Sequence, residues 1–222
     1  MNRPETNRET QVATVATPRG DCYSARERAA MEWTQELRGR WLGPALGWAT
    51  RLGLRADHVT LASLVAGLAF APLYVARGDH AWFLPSALAA LALHVLLDGV
   101  DGPLARHQHT ASRAGSFTDT CADQVVVTAT TLALMTGDTP ALHPLLGGTY
   151  VFLYTMVVAF AMVRNALDVP YSWLVRPRFW VYGWIVIDAY CLPHTLDWVV
   201  AAFSLLLLVK LATGFRAIRR ML

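Results

Sequence analysis

Six stretches of the chain are apolar runs separated by short polar intervals: Val59 to Ala76, Trp82 to Val100, Phe117 to Met135, Leu142 to Val163, Phe179 to Leu192 with its lead-in Trp173-Leu174-Val175, and Leu196 to Thr213. An α-helix rising about 1.5 Å per residue needs about 20 such residues to cross a hydrocarbon layer about 30 Å thick. The pattern predicts an all-α integral membrane protein with six transmembrane helices. Its fifth run is interrupted by Arg176, Pro177 and Arg178. Ahead of the runs, Trp33, Leu37, Trp41, Trp48 and Leu52 recur at helical spacing against Glu36, Arg38, Arg40 and Arg51, which predicts an amphipathic helix lying in the membrane interface. Gly43-Pro44 should divide that helix into two short pieces.

Residues 1–29 are rich in Arg, Thr, Glu and Pro and lack an apolar core, so they read as a disordered cytoplasmic tail rather than a signal peptide. Residues 30–55 form the interfacial region and residues 56–222 the six-helix domain. Composition agrees, since 55% hydrophobic against 16% charged residues is too apolar for an ordinary soluble fold.

Charge then orients the helices. Of 19 Lys and Arg residues, only Arg77 falls in a connection on the far side, and the connections Thr136 to Ala141 and Pro193 to Thr195 contain none. The excess of basic residues places both termini, and the loop between the second and third spans, on the cytoplasmic side. The net charge of +3 is thus a topology signal with some affinity for anionic headgroups. No basic patch with interleaved aromatics points to nucleic acid. Cys22, Cys121 and Cys191 show neither CxxC nor Cys/His spacing, which argues against a disulfide framework or a structural zinc.

Four carboxylates break the apolar pattern, at Asp98, Asp101, Asp119 and Asp123. Asp98 and Asp101 are three apart and share a face if the second span stays helical; Asp119 and Asp123 are four apart and share one in the third. The chain reverses between them, so both pairs lie at one depth and can face each other. A lone Asp deep in a bilayer costs about 2.5 to 3.5 kcal/mol, so four need compensation. Arg106 and Arg113 could neutralise two, but converging oxygen ligands more naturally hold Mg²⁺ or Mn²⁺, and two such ions would clamp a diphosphate. Gly102, Ala105 and Gly115 let a flat group or a phosphate approach the backbone beside the acids, and Arg106 supplies a guanidinium for it. Small-residue helix contacts explain any one glycine alone, but not the whole set at fixed spacing.

The segment Asp98 to Asp123 resembles the signature of the CDP-alcohol phosphotransferase family, D-x2-D-G-x2-A-R-x8-G-x3-D-x3-D, at every fixed position and spacer. The six-span plan and the amphipathic N-terminal helix extend the likeness over about residues 30–222. The resemblance implies that Asp98, Asp101 and Asp119 are metal ligands and that Asp123 is both ligand and general base. It implies that Gly102, Ala105, Arg106 and Gly115 line a CDP site. It further implies that a CDP-linked lipid, such as CDP-diacylglycerol, reacts with an alcohol to give a phosphodiester lipid and CMP, in a homodimer. Where family members carry Pro-Asn before the Leu-Thr pair of the first span, this chain has Ala56-Asp57-His58-Val59-Thr60. Thr60 keeps its place and could reach the nucleotide.

Arg164, Arg176 and Arg178 lie on the side of the acids, where relatives bind the phosphate of a phosphorylated acceptor. They tilt the expectation toward glycerol 3-phosphate, against an equally simple role in positive-inside anchoring. Asn165 and Tyr171 are further acceptor candidates. His94 lies one turn before Asp98 and is placed either to hydrogen-bond it or to pack between helices. His107 and His109 read as solvated, and Lys210 as snorkelling to the interface. A cation or proton transporter is the competing reading, since intramembrane acids mark ion pathways. It requires polar groups continuing to the far side, yet nothing ionisable occurs from Trp82 to Leu93 or from Gln124 to Met135, and no internal repeat is visible. A catalytically silent lipid-binding scaffold would have no use for the costly carboxylates.

Overall fold

A computed structural model describes residues 42–137, 139–167 and 176–220. After helix α1 (residues 42–51) come α2 (Ala56–Val75), a 3₁₀ turn (Ala76–Gly78), α3 (Phe83–His107), α4 (Arg113–Leu134), α5 (Pro144–Ala166), α6 (Pro177–Tyr190) and α7 (Leu196–Arg219). No strand occurs among the described residues. Residues 1–29, the earlier piece of the predicted interfacial helix, Tyr171 and the lead-in Trp173 to Val175 lie outside them, as does the side chain of Asn165.

Helices α2 to α7 coincide with the six apolar runs. Four stretches, Ala56–Gly78, Phe83–His107, Pro144–Arg164 and Leu196–Arg219, are long and apolar enough to cross a membrane, with mean hydropathy of 1.8 to 2.0. Helix α4 falls short because Asp119, Asp123 and a series of threonines dilute its apolar residues. Helix α6 has only 14 residues, about 21 Å of rise.

Local chemistry sets the helix starts. The Ser112 hydroxyl caps α4 by accepting from the Gly115 N–H at 3.0 Å. Pro144 and Pro177 open α5 and α6, where a missing N–H costs nothing. The start of α7 is capped from another helix: the Asp188 carboxylate accepts from the N–H groups of Thr195 and Leu196 at 2.8 and 2.9 Å. Asp197, in turn, accepts from the His143 N–H at 2.8 Å.

Helix α2 is central, packing on α3 and α4, while α5 packs on α7. Each of α2 to α7 contributes to one core: Phe70, Leu91, Val126, Tyr150, Ile185 and Leu207 are all 2% exposed or less. The outer surface is also apolar, with Leu61, Leu96, Phe152, Trp180, Trp198 and Leu205 each at least 60% exposed. Water would penalise that surface, whereas lipid is its natural solvent.

Gly67 permits the tightest crossing. A Cβ there would meet both Val126 methyls at 2.6 Å and His94 Cγ at 3.1 Å. The close approach lets Ser63 on α2 reach α3: its hydroxyl lies 2.9 Å from His94 Nδ1 and donates to the His94 carbonyl at 3.1 Å.

Candidate active site

The alternating helix directions bring the C-terminal part of α3 and the N-terminal parts of α2, α4 and α6 to one end of the bundle. Helicity through His107 carries Asp101 past the end of the apolar run that holds Asp98, and α4 starts early enough to hold Asp119 and Asp123. Asp98, Asp119 and Asp123 converge, each offering a carboxylate oxygen within 4.8 Å of the others.

Asp101 is oriented differently. It is buried, at 6% exposure, with Oδ2 accepting from Thr60 Oγ1 at 2.8 Å and Oδ1 from the Gly102 N–H at 2.6 Å. It remains within electrostatic reach of Asp119.

Beside the acids opens a cavity of about 710 Å³, within the range of small-molecule sites. Thr60, Gly102, Ala105, Arg106 and Gly115 all line it, and Asp101 and Asp119 form its border with the acidic cluster. The Arg106 guanidinium lies over Gly102, where a Cβ would stand 3.5 Å from Nη1. The start of α4 forms another wall, with Ala114 and Ser116 beside Gly115. A helix N-terminus carries the positive end of the helix dipole, so this wall suits an anion.

The three acceptor candidates separate. Arg176 is exposed at the N-cap of α6 and lies in electrostatic reach of Asp119. Arg164 is half-buried near the end of α5. Arg178 is 3% exposed and inside the acidic cluster: Nη2 donates to Asp98 Oδ2 at 2.8 Å, and Nη1 pairs with Asp123 Oδ2. The sequence marks Arg178 as basic and on the correct side, but nothing in it pairs this residue with acids 80 and 55 positions away.

His94 does not turn its Nδ1 to Asp98. That nitrogen faces Ser63, and the imidazole stands edge-on to the Tyr182 ring at 6.1 Å. Gln108 also escaped the sequence reading. From the α3–α4 turn its Nε2 donates to the Leu54 carbonyl at 2.6 Å and to Thr50 Oγ1 at 3.3 Å, tying that turn to the α1–α2 connection.

Comparison with known proteins accords with this arrangement. Over 92 residues the chain is 35% identical to a CDP-diacylglycerol--glycerol-3-phosphate 3-phosphatidyltransferase 1, chloroplastic, of Oryza sativa subsp. japonica. The shared stretch is 41% of this chain and 27% of that protein, so the chain matches about a quarter of the relative's length. No solved structure matches. The CDP-alcohol phosphatidyltransferase profile matches residues 54–214, which takes in α2 to α6 and nearly all of α7 together with the cavity and the acidic cluster, and the chain therefore belongs to that family of transferases.

Proposed function

We propose that this chain synthesises a phospholipid by transferring a phosphatidyl group from CDP-diacylglycerol to an alcohol, with glycerol 3-phosphate the favoured acceptor and CMP the product. The observation that carries the reading is the convergence of Asp98, Asp119 and Asp123 beside a nucleotide-sized cavity lined by Thr60, Gly102, Ala105, Arg106 and Gly115. The activity in the name of the Oryza sativa relative and the basic residues Arg164 and Arg176 support the choice of acceptor.

The carboxylates fit a divalent-cation site, because three of them, from two helices, present hard oxygen donors within one coordination sphere's reach. Asp98, Asp101, Asp119 and Asp123 would hold two Mg²⁺ or Mn²⁺ ions. Bound there, such ions would offset the diphosphate's charge and stabilise the departing CMP.

Thr60, Gly102, Ala105, Arg106 and Gly115 bind the CDP head, Arg106 through its guanidinium and Gly115 by letting the phosphates approach the start of α4. Arg164 and Arg176 receive the acceptor's phosphate and aim its hydroxyl at the donor, whereas Arg178, the third basic residue at this end, is held by Asp98 and Asp123. Asp123 takes the hydroxyl proton as that oxygen bonds to the phosphorus bearing diacylglycerol. The bond from this phosphorus to the bridging oxygen breaks, and the electron pair leaves with CMP.

Six spans, a membrane-surface N-terminal helix, a homodimer, and termini and site in the cytoplasm belong to the same reading. The apolar outer surface supports membrane embedding, and the basic residues at the site end support its orientation. The test is CMP release from CDP-diacylglycerol by the purified protein, with Mg²⁺ or Mn²⁺ and a panel of glycerol 3-phosphate, inositol compounds, serine and phosphatidylglycerol. Metal-dependent release is expected with glycerol 3-phosphate, falling about 100-fold or more in Asp123→Asn. No metal-dependent release with any alcohol would sink the reading, and full activity in Asp123→Asn would remove the base.

A further inference from the structure

The acidic cluster contains a cation of its own. Arg178 reaches from the first turn of α6 to Asp98 on α3 and Asp123 on α4, joining acids from two helices with the two arms of one guanidinium. All three side chains are sheltered, at 4%, 5% and 15% exposure for Arg178, Asp98 and Asp123. These are two of the three carboxylates that converge within 4.8 Å. An arginine fork is the side-chain group best matched to two carboxylates, and its pairs strengthen where water is excluded.

We propose that Arg178 is a positioning residue that acts as a built-in counter-cation: it holds Asp98 and Asp123 together before a divalent cation arrives, and competes with that cation for their oxygens. The inference rests on the function proposed above only in taking the cluster as a divalent-cation site. Close carboxylates repel, and uncompensated charge inside a membrane bundle is costly, so a fixed guanidinium makes the metal-free arrangement tolerable. The same contacts engage oxygens that a metal ion needs. Arg178 therefore stabilises the protein without metal and weakens its grip on metal, two effects of opposite sign. A residue that merely supported the site would weaken metal binding when removed.

The experiment titrates Mn²⁺ into wild type, Arg178→Gln and Arg178→Lys in detergent, without donor or acceptor, reading free Mn²⁺ by electron paramagnetic resonance. Arg178→Gln should bind Mn²⁺ about tenfold more tightly than wild type, with Arg178→Lys between them. In chelator Arg178→Gln should melt at lower temperature than wild type, and saturating Mn²⁺ should close the gap. Equal or weaker Mn²⁺ binding by Arg178→Gln overturns the proposal; if that variant does not fold, equal or weaker binding by Arg178→Lys does so. CMP release by wild type without this tightening leaves the enzymatic reading standing and removes the counter-cation. Tightening without CMP release does the reverse.

Discussion

Thr60 Oγ1 donates a 2.8 Å hydrogen bond to Asp101 Oδ2, joining α2 to α3 at the wall of the cavity. Beyond the nucleotide role expected of Thr60 and the metal role expected of Asp101, the structure adds a direct bond between the two. With the Gly102 N–H on its other oxygen, Asp101 has both oxygens oriented.

Replacing Thr60 by valine keeps the shape of the side chain and removes the donor. A hydrogen bond to a charged group contributes about 1.5 to 3 kcal/mol, and its loss leaves Asp101 Oδ2 without the donor that orients it. Thr60→Val should therefore lower kcat/KM for CMP release by about tenfold or more, with Thr60→Ser close to wild type. Initial rates at saturating Mn²⁺ check this, and an unimpaired valine variant would show that Asp101 needs no such support.

Gly67 predicts a stability effect separable from chemistry. Alanine would place its Cβ against the methyls of Val126, a fully buried, β-branched side chain with little rotamer freedom in a helix. Overfilling of this kind costs about 1 to 3 kcal/mol. Gly67→Ala should lower the melting temperature in detergent, whereas Gly183→Ala, with nothing within 4 Å of the new Cβ, should not. Equal melting of the two variants would refute the close crossing of α2 over α4.

What the sequence made legible depended on periodicity. Apolar runs placed α2 to α7, and four-residue spacing put Asp119 with Asp123 on a shared face, whereas Asp101 turns to Thr60 instead of joining Asp98 in the cluster. Helix ends were less legible: α3 runs on to His107 and α4 begins at Arg113, because polar helical turns carry no apolar signal. Contacts between distant helices were not legible at all. Arg178 finds Asp98 across 80 residues, and His94 turns from Asp98 on its own helix to Ser63 on another. Such partners are set by how helices cross, which no local pattern encodes.

Gln108 tests whether the α1–α2 connection matters to the donor. Its two hydrogen bonds fix Leu54 and Thr50, next to Arg55, Ala56 and Asp57 on the cavity wall. Loosening that wall should act on donor binding before it acts on the acids. Gln108→Ala should raise KM for CDP-diacylglycerol about threefold to tenfold with kcat nearly unchanged, in line with a loss of about 0.5 to 1.5 kcal/mol for neutral hydrogen bonds. A fall in kcat at constant KM would instead link Gln108 to the chemical step.

Orientation in the membrane follows from charge at the two ends of the bundle. Arg55, Arg106, Arg113, Arg176 and Arg216 stand at the end holding the acids, whereas Arg77 stands at the other. There its guanidinium is engaged by the carbonyls of Tyr74 and Thr139, at 3.0 and 2.6 Å, and lies over the Tyr74 ring. An arginine tied down this way exposes less charge to the headgroups and should not set topology, so the site end should face the cytoplasm. Cys191 is exposed at the Arg77 end and serves as a native probe, while Ala111→Cys reports on the site end. In sealed cells a membrane-impermeant maleimide should label a chain whose only cysteine is Cys191 and not one whose only cysteine is Ala111→Cys, and in inverted vesicles the pattern should reverse. Labelling of Ala111→Cys in intact cells would place the acids outside and overturn the orientation drawn from the basic residues.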